Sequence, residues 1–187
     1  MNEEIKLALI RVVPFVMILG GLFVATKRGK IDRAADLGLQ KPSSMTHFFF
    51  WTFGFLSFIL LIEFFLNKSG ILEIDKWNHP FFSSIIRIVG AVILAPISEE
   101  LIFRGLLLSK LSKKVNMHLA ILIQACFFVL LHNFAYQNTL TSNIGIVQAL
   151  TDASLFGYAR HYTKSIYTPI TMHVTGNIIA TLERFIF

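Results

Sequence analysis

Two adjacent carboxylates, Glu99 and Glu100, lie inside an otherwise apolar stretch of more than 20 residues. An ionised carboxylate in apolar surroundings is costly unless it is paired or hydrogen-bonded. Arg104 follows Glu100 by four residues, so on a helix the two side chains are neighbours, whereas Glu99 points about 100° away. The pattern therefore predicts a paired Glu100 and a Glu99 that has no cation on its own helix.

Two histidines lie in apolar surroundings on later segments of the chain. A four-residue spacing places Phe128 and His132 on one helix face, and the same spacing joins His173 to Asn177. A lone histidine in a membrane helix is most often a packed, hydrogen-bonded residue. Two histidines, an asparagine and an unpaired glutamate on three helices instead favour a functional site.

Further polar residues lie in or near the apolar segments. Asp152 is the only aspartate in any predicted span, and with Gln148 and Thr151 it is interpreted either as a helix-packing group or as support for a site. Three other charged residues lie close to predicted span ends, where a long side chain can reach the lipid headgroups: Arg11, Glu63 and Arg87.

The composition indicates that lipid surrounds the elements that position these residues. Of the 187 residues, 55% are hydrophobic and only 15% are charged, and the mean hydropathy is +0.65. A soluble domain carries about 25% charged residues, so a soluble, disordered, collagen-like or coiled-coil protein is excluded. The single cysteine, Cys126, lies in an apolar run and is expected to be a packing residue, since one cysteine forms neither a disulfide framework nor a cysteine zinc site.

The apolar runs predict an all-α, polytopic membrane bundle of about six transmembrane helices. The predicted spans are 5–26, 47–66, 83–108, 118–135, 143–161 and 166–187. Pro96 cannot continue a regular hydrogen-bond ladder, so the third span is predicted to be broken near this residue, with Ser98 as a helix cap. No repeat or linker indicates a second domain, and residues 1–187 are expected to form a single integral membrane domain.

The net charge of +6 comes from basic residues that gather in loops, which argues against a nucleic-acid partner and predicts the topology. The positive-inside rule places the loops Lys27–Ser44 and Ser109–Asn116 in the cytoplasm. The loop that contains Arg160 and Lys164 then also lies in the cytoplasm, and both termini lie outside. The first apolar run follows an acidic start and is longer than the apolar region of a signal peptide. We therefore expect it to remain as a helix.

Three ordered motifs resemble those of the CPBP or Abi family of intramembrane proteases, which includes type II CAAX prenyl endopeptidases and bacterial bacteriocin-processing and immunity proteins. The motifs are Glu99-Glu100-x-x-x-Arg104, Phe128-x-x-x-His132 and His173-x-x-x-Asn177. Each is weak alone, but three in this order inside apolar helices are specific. The resemblance implies a catalytic core of about residues 84–180, and the first 80 residues carry no family motif.

The resemblance implies hydrolysis of a peptide bond within the membrane. Glu99 and His132 would activate a water molecule, and His173 and Asn177 would stabilise the oxyanion. Supporting roles are implied for Glu100, Arg104 and Phe128. Amide cleavage needs a base, donors for the developing charge and a water-limited pocket, so these residue types suit the reaction. The expected partners are the lipid bilayer and a peptide or protein substrate, possibly lipidated, in a bacterial cell membrane.

Other protease chemistries fit the sequence less well. A single span aspartate cannot form an aspartyl pair, and neither Gly-x-Ser-x-Gly nor His-Glu-x-x-His occurs. One alternative is an immunity or scaffold protein that binds a peptide or membrane partner without turnover. Another is a small proton-coupled transporter with a relay of Glu99, His132 and His173, but the inverted repeats usual in transporters are not found.

Zinc is an alternative within the protease hypothesis. Glu99, His132 and His173 form a possible two-histidine, one-carboxylate ligand set, with the other glutamate as the base. We expect no metal and no other cofactor. The resemblance assigns His173 a donor role towards the oxyanion, and water activated by glutamate and histidine requires no cation.

Overall fold

The computed structural model describes residues 2–70 and 74–186, and these residues form helices joined by loops, without a strand. Phe187, the end of the sixth predicted span, and residues 71–73 of the second loop lie outside the described residues. The helices are α1 (Glu3–Lys27), α2 (Met45–Lys68), α3 (Phe81–Leu111), α4 (Met117–Leu130), α5 (Leu140–Thr163) and α6 (Tyr167–Ile186). A short 3-10 turn, Asn133–Tyr136, follows α4. The predicted all-α bundle is confirmed.

The six helices differ in how well their length and apolarity suit a membrane span. Within the described residues, α1, α2 and α3 are long and apolar enough to span it, and α4 is apolar but has only 14 residues. Helices α5 and α6 are long enough, but they contain many of the polar residues and fall short in apolarity. Six spans remain a prediction, and three are supported by length and composition.

The fourth predicted span, 118–135, is too long at its C-terminal end. Helix α4 ends at Leu130, whose carbonyl accepts a hydrogen bond from the Tyr136 hydroxyl instead of a helical amide. His132 closes a tight turn there, since its backbone N donates to the Val129 carbonyl at 2.9 Å. The second-motif histidine therefore lies beyond the helix and not on its regular face.

Helix α3 is irregular near Pro96, as predicted, but it is not broken. The ladder widens to π-helical geometry over Val89–Leu94 and again over Leu101–Leu107, on both sides of a short α segment, Ala95–Glu100. The backbone dihedrals at the ends of these segments are helical, and the wider i→i+5 bonding accommodates the missing proline N–H. The predicted Ser98 cap is wrong, since its hydroxyl donates to the Phe15 carbonyl of α1 at 3.3 Å.

The three basic loops meet at one end of the bundle. The backbone N of Ser43 in the first loop donates to the carbonyl of Thr163 at the end of α5, at 2.8 Å. Ser109, after the third predicted span, donates its hydroxyl to the Asp36 carbonyl at 2.9 Å. The predicted cytoplasmic loops thus share one face, although the side of the membrane that this face occupies stays a prediction.

At the other end of the bundle, the start of α1 and the end of α6 both contact the second loop. Glu4 accepts hydrogen bonds at 3.2 Å from both His79 and Arg87. The backbone N of Trp77 donates to the carbonyl of Arg184 at 2.8 Å. The snorkelling interpretation of Arg87 is wrong, because its side chain is only 9% exposed and is paired with Glu4.

Apolar side chains cover much of the outer surface, and polar ones are enclosed. Exposed fractions reach 69% for Phe50 and 65% for Phe65, whereas Gln124 and Thr168 are fully buried. This pattern suits a bundle in lipid, where buried polar groups are satisfied by neighbouring helices, and the chain is an integral membrane protein. Cys126 belongs to the outer surface, so its prediction as a packing residue is wrong.

Candidate active site

The centre of the bundle contains a buried cluster of one carboxylate and two basic side chains. Arg104 Nη1 donates to Glu100 Oε1 at 2.8 Å, and His173 Nδ1 lies 2.8 Å from the same oxygen. The side chains of Glu100 and Arg104 are fully buried. The pairing expected from four-residue spacing is confirmed, but its extension to His173, on α6, was not predicted.

Aromatic rings enclose the guanidinium of Arg104. Its central carbon lies 4.7 Å from the ring centroid of Phe128 and 5.2 Å from that of Phe156, and its Nη2 donates to the Ala153 carbonyl at 3.2 Å. A cation over an aromatic face is attracted by the ring quadrupole, and more so where water is excluded. Phe128 therefore holds the cation of the buried cluster.

Glu99 leaves this cluster and faces a cavity. Its Oε2 lies 3.8 Å from His173 Nε2, and its side chain is 20% exposed. The separation is too long for a direct hydrogen bond and short enough for a water molecule to bridge the two atoms. One imidazole ring thus joins both glutamates, through Nδ1 to Glu100 and through Nε2 towards Glu99.

His132 has a defined orientation beyond the end of α4. Its Nδ1 lies 2.7 Å from the Phe128 carbonyl, and its ring centroid lies 4.6 Å from that of Phe128. A carbonyl oxygen can only accept, so Nδ1 carries the hydrogen, and in the neutral ring Nε2 carries the lone pair. A histidine in this tautomer can accept a proton at Nε2.

Asn177 is positioned by a consequence of Pro96. In the π segment the Ala95 amide donates to the carbonyl of Gly90, five residues earlier. The next donor in this ladder would be Pro96, which has no N–H, so the ladder leaves the Ala91 carbonyl without its donor. Asn177 Nδ2 donates to that carbonyl at 2.7 Å, which fixes its amide and leaves its second hydrogen for another acceptor.

All four predicted catalytic residues line one cavity of about 720 Å³: Glu99, His132, His173 and Asn177. The arginines Arg11, Arg87 and Arg184 line it as well. Sequence reasoning missed their place in this wall, since they lie near predicted span ends and outside the motifs. The structure therefore brings the three motifs together around one space.

A smaller cavity of about 190 Å³ lies on the other side of the two histidines. It is lined by both histidines and by Asp152, Glu63 and Gln148. Gln148 Nε2 donates to Glu63 Oε1 at 3.1 Å, while Asp152 Oδ1 is buried without a hydrogen-bond partner. Of the two interpretations of Asp152, this placement favours support of the site.

The zinc alternative meets a shortage of ligands. Among residues 2–70 and 74–186, no group of three or more histidine, cysteine, aspartate or glutamate side chains is arranged to hold a metal ion. The hydrogen bond between Glu100 and His173 would suit a zinc-bound histidine as well as a catalytic one. A catalytic zinc also needs three convergent protein ligands, so elemental analysis of the purified protein tests this alternative.

Two comparisons with known proteins bear on this site. The family model for "Type II CAAX prenyl endopeptidase Rce1-like" matches residues 81–179, a range that contains every residue of the three motifs. An uncharacterized 24.3 kDa protein of Escherichia coli is 26% identical over 141 residues, which cover 71% of this chain and 62% of that protein. The chain thus spans less than two thirds of that relative's length. No solved structure matches the chain.

Proposed function

The chain belongs to the Rce1-like family of type II CAAX prenyl endopeptidases, and from that premise we propose that it is an intramembrane endopeptidase. It would hydrolyse a peptide bond of a membrane-associated peptide or protein with water activated by glutamate and histidine. The observation that carries the proposal is the shared cavity, onto which Glu99, His132, His173 and Asn177 converge from three segments.

The first step is the activation of water. A water molecule between the Glu99 carboxylate and His132 Nε2 loses a proton to Glu99 as its oxygen attacks the carbonyl carbon of the substrate. The new C–O bond makes a tetrahedral intermediate, and the negative charge moves to the former carbonyl oxygen. When the C–N bond breaks, the proton passes from Glu99 to the leaving amine, so the products are one acid and one amine.

Two donors are available for the negatively charged oxygen. The second amide hydrogen of Asn177 is one, because the first is bound to Ala91. His173 Nε2, which lies towards Glu99, is the other when it carries a hydrogen. Preorganised donors in a water-poor site stabilise an oxyanion without reorganisation during the reaction.

The cavity also bears on the substrate. Its volume of about 720 Å³ lies within the range of small-ligand pockets and is sufficient for a few residues of an extended peptide. Arg11 lines it and, among the described residues, has no ion pair, so it would favour a peptide with a carboxylate near the cleaved bond. The apolar outer surface would accommodate a lipid-modified substrate. We place the protein in a bacterial cell membrane, in line with its Escherichia coli relative.

The test is cleavage by the purified protein in lipid vesicles. Membrane peptides are incubated with wild type, Glu99→Gln or Glu183→Gln, and new peptide termini are identified by mass spectrometry. Glu183→Gln is the matched control, a carboxylate on α6 outside the cavity. We expect new termini with wild type and the control but not with Glu99→Gln. Peptides that bind all three proteins without being cut would instead identify a non-catalytic binding protein.

A further inference from the structure

A separate cavity of about 200 Å³ lies at the basic end of the bundle, between the three loops that the sequence predicts to be cytoplasmic. Five of the side chains that line it are basic or can become so, and one of them, Arg104, is already paired with Glu100: Arg104, Lys113, Arg160, His161 and Lys164. We propose that this cavity binds a phosphate group, either the headgroup of an acidic lipid or free phosphate. The proposal does not depend on the proposed protease function.

The side chain of Arg160 is half-buried and unsatisfied. Its Nε is buried without a hydrogen-bond partner, and so is Nδ1 of the neighbouring His161. No ion pair forms to Arg160 within residues 2–70 and 74–186. A half-buried cation without a counter-charge has lost part of its hydration, and a bound anion would compensate for that loss.

The guanidinium of Arg160 lies against the backbone of the first loop. Gly38 has a φ of +70°, and a Cβ at this position would overlap the guanidinium of Arg160. The Gly38 carbonyl accepts a hydrogen bond from the Ile166 backbone N at 2.9 Å, which ties the first loop to the start of α6. Glycine at this position tolerates the positive φ and lets the loop pass close to the guanidinium.

The charge around the cavity favours an anion. None of the described side chains that line it is acidic. The carboxylate of Asp36 lies near the rim, 3.7 Å from Lys113 Nζ, but it also accepts the backbone N of Asp32 at 2.9 Å. Arg160, His161 and Lys164 are left without a carboxylate partner among the described residues.

Phosphate suits this arrangement better than a carboxylate does. Guanidinium binds two oxygens of either anion, but only phosphate has a further oxygen for the point charge of a lysine. A volume of about 200 Å³ exceeds that of a phosphate group and leaves space for the start of a glycerol chain. Acidic lipids are concentrated in the cytoplasmic leaflet, the side predicted for this end of the bundle.

The experiment compares Arg160→Gln with Arg28→Gln. Arg28 is an exposed arginine in the first basic loop that does not line the cavity, so its variant is a matched loss of charge. Inorganic phosphate is titrated into each full-length protein in detergent, and Tm and Kd are measured. In parallel, Tm is measured in phosphatidylcholine nanodiscs with and without phosphatidylglycerol.

We expect wild type and Arg28→Gln to be stabilised alike, and Arg160→Gln to bind at least about tenfold more weakly, the loss expected for one charged hydrogen bond. Stabilisation by phosphate in detergent would identify free phosphate as a ligand. Stabilisation only by phosphatidylglycerol, again dependent on Arg160, would identify a lipid headgroup. An equal response of the two variants, or no response of wild type to either anion, would overturn the proposal.

A second variant guards against a misfolded Arg160→Gln protein. Ser112 also lines the cavity, and Ser112→Asp would place a carboxylate where the anion is proposed to bind. We expect this variant to fold, to have a higher Tm than wild type without added anion, and to gain nothing from phosphate or phosphatidylglycerol. A full response of Ser112→Asp to either anion would also refute the site.

Discussion

Glu99 and Glu100 are adjacent in the chain but lie in two regions with opposite properties. Around Glu100 the protein is closed: the side chain is fully buried, and Arg104 and His173 both reach its Oε1 at 2.8 Å. Around Glu99 it is open: the side chain is 20% exposed, and its histidine neighbour is 3.8 Å away. A rotation of about 100° on one helix thus separates a buried, ion-paired carboxylate from one with room for water and substrate.

Glu99→Gln tests the catalytic role of the open region, and we expect the largest effect on cleavage here. Glutamine has nearly the same shape but cannot take a proton from water, so cleavage should fall by about 10²- to 10⁴-fold, as for loss of a general base. Tm and membrane insertion should match wild type, since no packing is removed. The measurement is kcat/KM on a peptide identified by the vesicle assay, and residual cleavage above about half of wild type would exclude Glu99 as the base.

Arg104→Ala disrupts the ion pair of the closed region. This variant leaves the buried Glu100 carboxylate with His173 as its remaining partner. Loss of one partner of a buried ion pair costs about 3 to 5 kcal/mol. We expect lower yield, a lower Tm and lower activity together. A double variant, Glu100→Gln with Arg104→Met, removes both charges and should recover much of the Tm. Unchanged stability of Arg104→Ala would show that the pair does not hold the fold.

Pro96→Ala tests the boundary between the two regions. Alanine restores a backbone N–H that can bind the Ala91 carbonyl, in competition with Asn177. One net hydrogen bond is worth about 0.5 to 1.5 kcal/mol, so kcat should fall by about two- to tenfold.

Pro14→Ala is the matched control for Pro96→Ala, because Pro14 lies within helix α1 and is exposed. It should leave kcat unchanged. The effects of Pro96→Ala and Asn177→Ala should be non-additive, since both act on one hydrogen bond. Additive losses in the double variant would show that Pro96 does not position Asn177.

The smallest expected effect is that of a metal chelator, which tests whether the open region contains a metal ion. We expect cleavage to be unchanged by a strong chelator and elemental analysis of the purified, active protein to show no stoichiometric zinc. The reason is that water between Glu99 and His132 needs no cation for its activation. Stoichiometric zinc, with activity lost on chelation and regained on adding zinc, would make Glu99, His132 and His173 metal ligands.

The sequence was most informative about contacts that lie within one helix. The pairing of Glu100 with Arg104 follows from their spacing, and the basic loops could be grouped from their charge alone. The bond from His173 to Glu100 joins residues 73 positions apart, so it depends on how α3 and α6 pack. The same holds for Arg87, whose partner Glu4 lies on another helix.

The π segments of α3 were not predictable for a related reason. Pro96 shows that one backbone donor is missing, but not whether the chain bends, breaks or widens in response. Helices α1 and α6 pack against this part of α3, with Ser98 bonded to Phe15 and Asn177 bonded to Ala91. Sequence patterns within one helix do not contain these contacts.

The two π segments also affect how this helix can change in evolution. Each wide turn accommodates one residue more than an α-helix of the same direction would, which amounts to an insertion inside a continuous helix. Deleting a residue from Val89–Leu94 would turn the glutamates by about 100° relative to the start of α3. A compensating insertion in Leu101–Leu107 would restore the register of the helix end but not of the glutamates. Alignments of relatives should therefore allow gaps within this helix, and paired insertions and deletions around Pro96 offer a direct way to redirect the two carboxylates.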